Sequence, residues 1–519
     1  MPSFSTELLV IGAGATGLGI AWDACLRGIK VVVVDQSNIA QGTSGRYHGL
    51  LHSGGRYAVT DPISAEECAS ENLILRRIIP HAIEDTGGLY LVLRADTGDY
   101  ADEWQRACHE IGIDVEPRSL DQVRRREPAL TKEISQAFQV NAASLDSFDL
   151  LNSLSTSIRK AGGQILLHHR VNGFIIEDNT VVAAELTSEL DRTAVQIGAE
   201  IFVNAAGPWA DQVAALAGIK IPITHSKGTM IAMANRLTQT VIHRCRPPSS
   251  GDAIVPAGSV MIIGTTDLPV ASANDLAIQP SEIDFLLDQG DELIPGFSSR
   301  RPLRAWSGIR PLYNPHHDDI DSTRRISRSH VLINHADTDG ISGLASIFGG
   351  KLTSFRLMAQ RTVDFVAREL QIDDKCCTDT VPIEPEKKEF IVLSNRTTRP
   401  LSHANHARAS VICECENVKR SDIEAHFQSS HHFEIDNLRR ATRLGMGPCQ
   451  SVFCSVRATG IAFASNEPEE LLADLASFID RRWRGTSPLA WGWSMRQMVL
   501  SRRLYLELLD IQQVWGDKS

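Results

Sequence analysis

The chain has 519 residues, 43% of them hydrophobic and 22% charged, enough for roughly two to four globular domains with a sizeable core. Its formal net charge of −11 excludes sequence-independent nucleic-acid binding and a polybasic membrane anchor, so an anionic substrate needs a local cationic pocket. Met1-Pro2-Ser3 leads straight into the first apolar run, and no window approaches about eighteen uninterrupted apolar residues. A cytoplasmic chain is expected, peripheral to a membrane at most.

The first apolar run, Glu7 to Ile11, ends in Gly12-Ala13-Gly14-Ala15-Thr16-Gly17. A helical pattern with Ala21 and Ala24 follows, and the next apolar run, Lys30 to Val34, closes on Asp35. Strand, G-x-G-x-x-G, helix, strand and terminal acid together make the dinucleotide-binding βαβ unit. Gly12 permits the tight turn, Gly14 lets backbone approach a pyrophosphate, and Gly17 lets helix and strand pack closely. The helix N-terminus offers unpaired N–H groups to phosphates, and Asp35 is placed to accept from a ribose hydroxyl.

Residues 42–57 are too glycine-rich and polar for a regular element and read as a loop crossing a ligand. Helical spacing is expected over Ala65 to Ile79 and Tyr100 to Ile111. Segment 164–186 reads as a small antiparallel meander with turns at Gly173 and Asp178-Asn179. The run 201–204 breaks on Ala205-Ala206-Gly207 and suits a strand returning to the nucleotide sheet. Residues 220–335 read as a β-rich lobe. Another strand ends on Gly349-Gly350-Lys351, and a helix to about Leu370 follows, with Phe355, Met358, Thr362, Phe365 and Val366 near one face. The pattern dissolves from Asp373 to about Ala409, then resumes as a compact unit and a Trp-rich, partly helical tail.

Four of the ten cysteines, Cys413, Cys415, Cys449 and Cys454, fall near the C-terminus as C-x-C and C-x4-C. Four thiolates in a small domain suit tetrahedral zinc or an iron–sulfur cluster. The spacing departs from a zinc ribbon, and Gly445, Gly447 and Pro448 can turn backbone N–H groups toward the sulfurs, which favours [2Fe-2S]. Cys25, Cys68, Cys108, Cys245, Cys376 and Cys377 show no ligand spacing and read as core residues.

Three cations stand in unusual contexts. Arg310 lies beside a proline in an apolar stretch, Arg328 precedes the run Val331 to Ile333, and Lys351 sits on the glycine turn. Converging, they can clamp a phosphate or a carboxylate. His48 and His52 on the glycine-rich loop are candidates for a general base or a flavin neighbour, against the plainer reading of neutral loop histidines.

The motifs GAGATGLGIA (12–21), GRYHGLLHSGGRYAVTD (45–61), ECASEN (67–72), VNAAGPWA (203–210), IGTTDL (263–268), SGIRPL (307–312) and FGGKLTSFRLMA (348–359) resemble the FAD-dependent glycerol-3-phosphate dehydrogenases, within the D-amino-acid-oxidase-like flavoproteins. CECE (413–416), RLGMGPCQSVFC (443–454) and WRGTSPLAWG (483–492) are similar to the iron–sulfur module and tail of the catalytic subunits of the anaerobic bacterial enzymes. The resemblance implies an α/β fold: a Rossmann-type FAD-binding domain with an inserted β-rich substrate lobe, a small C-terminal iron–sulfur domain and a helical tail. In numbers, the oxidoreductase domain is 1–372, with FAD-binding parts about 1–60, 160–215 and 335–372 and the substrate lobe about 75–160 and 216–335. A linker over 373–409, a [2Fe-2S] domain over 410–465 and a tail over 466–519 complete the expectation.

The same resemblance implies oxidation of sn-glycerol 3-phosphate, a small phosphorylated polyol, to dihydroxyacetone phosphate with hydride transfer to FAD. Arg310, Arg328 and Lys351 would hold the substrate, and Arg56 and Tyr57 would line its pocket. FAD would be held by Gly12, Gly14, Ala15, Thr16, Gly17, Asp35 and Gln36, by Thr43, Ser44, His48 and Gly49, and by Ala206, Gly207, Gly349, Gly350, Lys351, Leu352 and Thr353. Electrons would leave through the four cysteines to a quinone, by way of partner iron–sulfur and membrane-anchor subunits on the cytoplasmic face of the inner membrane. One departure stands out: Lys227-Gly228-Thr229-Met230 carries methionine where aerobic relatives carry histidine, so a base must come from elsewhere, such as His48 or His52, or be water. Two alternatives remain: oxidation of an amino acid, opine or hydroxyproline, and a purely electron-transferring role. Trp483, Trp491, Trp493 and Trp515, with Met495, Met498, Leu504, Leu508 and Ile511, would pack on the chain's own domains or dock a partner or membrane surface.

Overall fold

The computed structural model describes residues 3–96, 99–315, 323, 326–385, 410–429, 434–451, 453–463 and 467–504. Its main sheet is built around β1 (Ser3–Ile11), which lies parallel to β2 (Val31–Val34) on one side and to the strand Ala194–Asn204 on the other. All four valines of β2 are buried, as in a parallel strand covered on both faces. The strand Ala194–Asn204 shares one edge between two neighbours. Its first half pairs antiparallel with Thr180–Ser188, and its second half pairs parallel with Leu344–Gly349. His330–Asn334 then adds antiparallel to Leu344–Gly349, so this strand belongs to the main sheet and not to the inserted lobe.

The turn between β1 and α1 (Ala15–Leu26) depends on missing side chains. Gly12 has φ +116°, and a Cβ there would stand 2.5 Å from the Ala205 carbonyl oxygen. A Cβ on Gly17 would overlap the Gly12 carbonyl. Gly19 lets the helix Phe355–Glu369 close on α1, because its Cβ would meet Phe355 at 3.0 Å and Ala359 at 3.1 Å. Phe355, 2% exposed, contributes about 1.5–3 kcal/mol by burial there. The helix Ser147–Lys160, capped by Asp146 accepting from the Phe148 and Asp149 N–H groups, packs on the same face. Its buried stripe of Leu150, Leu151, Leu154 and Ile158 joins the α1 core, which draws it to the nucleotide-binding body from within the segment assigned to the lobe.

The antiparallel meander expected over 164–186 needs correction. Gln164–Leu166 pairs parallel with β2, returning by a crossover through Ser147–Lys160. Gly173 makes no turn; it sits at a register shift inside the strand His169–Glu177. The chain reverses only at Asp178 and Asn179, with φ of 45° and 62°.

The second, nine-stranded sheet forms the lobe from residues 88–140 and 223–313. Its longest pair is Ile223–Met233 with Pro302–Tyr313, running from Ile223 opposite Tyr313 to Met233 opposite Pro302. Helix Pro280–Leu293 covers one face, burying Ile283, Leu286 and Leu287 against Ile231, Met233, Met261 and Ile263.

Residues 373–385 of the expected linker lie against the body. Arg27 donates to the Asp374 carbonyl, Arg77 donates to that of Asp379, and Ile383 is buried in the α1 core. The remainder, 386–409, lies outside the described residues. The C-terminal module carries the hairpin Val411–Cys413/Val418–Lys419 and the helices Arg420–Ser429, Ile435–Thr442, Cys454–Ala462 and Pro468–Thr486. Arg443 bridges module and body by pairing with Asp146 as well as Glu416, and Asn38 donates to Glu434. In the tail, Leu489 is buried in the lobe core with Met498 packed against it, while Trp491, Met495, Leu500 and Leu504 are exposed. Trp515, Leu508, Ile511 and the side chain of Trp493 lie outside the described residues. Among the described residues no helix is long and apolar enough to cross a membrane.

Candidate active site

A cavity of about 490 Å³ opens where the glycine turns of the main sheet meet the lobe. All seven proposed catalytic positions, His48, His52, Arg56, Tyr57, Arg310, Arg328 and Lys351, line it. They arrive from four separate segments, and the two sheets fix their spacing.

Of the cofactor positions, Ala15, Thr16, Thr43, Ser44, His48, Gly207, Gly349, Gly350, Lys351 and Leu352 line the same cavity. Helix α1 has no side-chain cap and no acid in its first turn, so its N-terminus is open to an anion. The Ala15 N–H donates to Ser44 Oγ at 3.0 Å, and Thr43 ties the loop down by donating to the Ile309 carbonyl at 2.6 Å. Thr353 Oγ1 accepts from the His52 N–H. Gly349 and Gly350 have φ of +81° and +65°, and Gly207 and Gly49 are also left-handed. Asp35 accepts from the Ala13 and Ser37 N–H groups at 2.7 and 2.8 Å, and burial raises its carboxyl to about 6. Gln36 beside it is exposed, and Ala206 donates to the Asn204 side chain. A glycine-lined, uncapped helix start with an acid at the end of β2 fits a dinucleotide.

Arg310 is held from behind. Its guanidinium donates to Ser226 Oγ at 3.1 Å, Asp267 Oδ1 at 3.3 Å, the Thr266 carbonyl at 3.1 Å and Thr265 Oγ1. Arg328 reaches the same carboxylate at 3.7 Å, and its backbone N–H donates to Asp61. Its Nη1 is buried without a hydrogen-bond partner among the described residues. Burial pushes the Asp267 carboxyl up, but Arg310, the Ser226 and Thr323 hydroxyls and Arg328 together hold it below the ordinary value. Arg56 is fixed by Asp252 at 2.8 Å and the Ser249 carbonyl at 2.9 Å. Lys351 donates to the Arg328 carbonyl at 3.3 Å and stands over the Tyr57 ring.

Burial, followed by the neighbouring cations, drives His48 down to about 3 and His52 well below the usual imidazole value. Both are neutral at physiological pH. His48 Nδ1 accepts from the Leu50 N–H at 3.3 Å, which leaves its proton on Nε2. The His52 ring lies between those of His48 and Tyr57, with centroids 5.8 and 5.6 Å away. Met230, 1% exposed, lines the cavity with its thioether chain against Gly264.

Three site residues escape a reading of the sequence. His243 lines the cavity, stacked on Tyr90 with centroids 4.6 Å apart, its Nδ1 buried without a partner among the described residues and its pKa lowered to about 3 by burial and Arg56. Asp252 and Asp267 anchor the arginines. His243 and Asp252 have no local signature, and Asp267, though it lies in the IGTTDL motif, has none for its role: Asp252 meets Arg56 across 196 positions, and Asp267 meets Arg310 across 43.

The four C-terminal cysteines come together. The Cys413 thiol is hydrogen-bonded to Cys454, Cys454 also to Cys449, and Cys449 to Cys415. The Cys454 hydrogen bond first, and then backbone groups of Gly445 and Glu416, lower the Cys413 thiol against the effect of burial. A Cβ on Gly447 would overlap that of Cys415, so the loop needs glycine to close over the thiols. Among the described residues no three His, Cys, Asp or Glu side chains converge on a point that could hold a single metal ion. The four neighbouring thiols are of the donor type that an iron–sulfur cluster takes.

Fold and site define a flavin-dependent oxidoreductase, and the family model for FAD dependent oxidoreductases matches residues 7–356. The chain is similar along its length to the A-type subunit of the anaerobic glycerol-3-phosphate dehydrogenase of Escherichia coli K12, at 37% identity over 99% of both chains. The A1-type subunit of the Haloferax volcanii enzyme is 35% identical over 98% of this chain and 91% of its own. The chain thus belongs to the A-type subunits of the anaerobic glycerol-3-phosphate dehydrogenases, a family of FAD-dependent oxidoreductases. In fold it is similar to the FAD-complexed glycerol-3-phosphate dehydrogenase of Bacillus halodurans, with TM-score 0.64, 22% identity and 93% and 96% of the two chains covered. The Geobacillus kaustophilus glycine oxidase shares the fold over 73% of this chain and 98% of its own, with TM-score 0.56 at 19% identity.

Proposed function

We propose that this chain oxidises sn-glycerol 3-phosphate to dihydroxyacetone phosphate and delivers the electrons through a [2Fe-2S] cluster and a partner subunit to quinone. The observation that carries the substrate class is the convergence of Arg310, Arg328 and Lys351 on one cavity. Among the described lining residues, five cationic side chains face two carboxylates, an excess that suits a phosphate dianion better than a single carboxylate.

Arg310 and Arg328, braced by Asp267, present guanidinium edges to the phosphate, and Lys351 adds a third charge. Bound FAD supplies the acceptor for the hydride that leaves C2. His52 takes the proton of the C2 hydroxyl, because its ring nitrogens have no hydrogen-bond partner among the described residues while His48 presents Nε2–H. Burial is the main cause that holds the His52 imidazole down, and a dianion beside Lys351 and Arg56 offsets the smaller share those charges add, making it a better base when substrate is in place. Cys413, Cys415, Cys449 and Cys454 would hold the cluster, whose chemistry is one-electron transfer. The E. coli and Haloferax relatives are named as parts of a larger enzyme, which supports a partner subunit here.

Turnover of the holoenzyme with an artificial dye acceptor tests this reading. Sn-glycerol 3-phosphate should reduce the dye, and glycerol, glycine and proline should not. Faster reduction by proline or glycine would overturn the phosphate assignment.

A further inference from the structure

A second cavity, of about 1440 Å³, lies between the body and the C-terminal module and shares Arg46 and Tyr47 with the active cavity as a common wall. The body contributes Ile262, Arg304 and Trp306, and the module contributes Arg439, Arg482 and Gly485. Most of the cations facing it are compensated. Arg443 is bound by Asp146 and Glu416, and Asp436 takes both Arg439 at 3.2 Å and Arg481 at 2.8 Å.

Arg304 and Arg46 are not. Among the described residues neither guanidinium has a hydrogen bond or an ion pair; Arg304 only rests 5.9 Å from the Trp306 ring centroid. The module presses on it regardless. A Cβ at Gly485 would stand 3.4 Å from Arg304 Nε and Nη2, so the helix Pro468–Thr486 meets this guanidinium with a bare backbone. Burial lowers Arg304 to about 9, with Arg439, Arg482 and Arg46 adding to the effect and Asp436 opposing part of it. Burial also lowers Arg46. Desolvated like charges on both sides of a joint oppose its closure unless an anion lies between them.

We propose that this chamber binds a phosphate dianion, free or as a small ester, between Arg304 and Arg46 of the body and Arg439 and Arg482 of the module, clamping the two together. Two guanidinium groups without a hydrogen bond or ion pair among the described residues suit an anion between them, and planar guanidinium forks suit phosphate oxygens. The chamber meets the substrate cavity only at Arg46 and Tyr47, while Arg304, Arg439 and Arg482 line the chamber alone, so the proposal stands whether or not the proposed substrate is correct.

Calorimetric titration of the holoenzyme with inorganic phosphate tests the proposal, with phenyl phosphate as a second titrant. The wild type should bind phosphate in the chamber, and the Arg310→Gln protein, in which the substrate cavity is damaged, should retain that binding equivalent. Arg304→Gln and, independently, Arg482→Gln should weaken that equivalent by about tenfold or more. Phosphate should slow amide exchange over 434–443 in the wild type and not in Arg304→Gln. Tighter binding of phenyl phosphate assigns the chamber to an ester, and equal or tighter binding of inorganic phosphate assigns it to the free ion. A wild type that binds phosphate only in the cavity damaged by Arg310→Gln, or an Arg304→Gln protein that binds it unchanged, overturns the proposal.

Discussion

Lys351 Nζ stands 4.3 Å from the centroid of the Tyr57 ring, so the cation that opens the last helix of the body is propped by an aromatic face from the loop that follows the nucleotide-binding unit. The contact joins segments nearly three hundred residues apart and aims the ammonium into the cavity. A cation–π contact of this kind is worth about 0.5–2 kcal/mol.

Replacing Lys351 by Met should therefore cost more than replacing its prop. Lys351→Met removes a charged hydrogen bond to phosphate, about 1.5–3 kcal/mol, or roughly 10–100-fold in kcat/KM. Tyr57→Phe keeps the ring and should change kcat/KM by less than about threefold, while Tyr57→Leu should lose about tenfold. Steady-state kinetics of the three variants, with flavin content measured in each, check the order.

Asp267 organises both Arg310 and Arg328. Its carboxyl is held below the ordinary 3.8, so its pairing stabilises the fold above that value and is lost as pH falls below it. Asp267→Asn should leave flavin content unchanged, raise KM for the phosphorylated substrate by about tenfold or more, and remove part of the acid-induced loss of stability below about pH 4.

Buried His48 and His243 titrate near 3 in the folded chain, against 6.5 when exposed. Between those values the unfolded chain binds more protons than the folded one, so stability falls as pH drops from 6.5 toward 3. Each histidine contributes up to about 1.4 kcal/mol for the first unit below 6.5. Thermal unfolding at pH 7.5, 6.5 and 5.5 should show this decline, and His48→Gln should flatten it.

Cys449→Ser and Cys415→Ser should purify without bound iron while keeping flavin, because the flavin-binding body folds around its own core. Their flavin should still bleach with substrate, and turnover with a quinone acceptor should be lost. Iron content and the visible spectrum check both statements.

The parts of the fold legible in sequence are those with short-range causes. The β1 turn is readable because Gly12 and Gly17 answer to contacts within one βαβ unit and its neighbouring strand. Helix Tyr100–Ile111 is readable from its own periodicity. Gly173 misleads because glycine marks a bulge as well as a turn, and only strand pairing separates them. Ile383 looks like linker because its core partner, Ile78, lies three hundred residues earlier. The cationic positions stand out through glycine and proline neighbours, whereas His243, Asp252 and Asp267 sit on or beside ordinary strands and acquire a role only from what the lobe sheet brings against them.

The most direct test is an anaerobic visible spectrum of the holoenzyme during titration with sn-glycerol 3-phosphate. Bleaching of the flavin band at about one equivalent, with fading of the broad iron–sulfur absorption, is the expected result. A flavin that stays oxidised with this substrate but bleaches with proline or glycine would contradict the account.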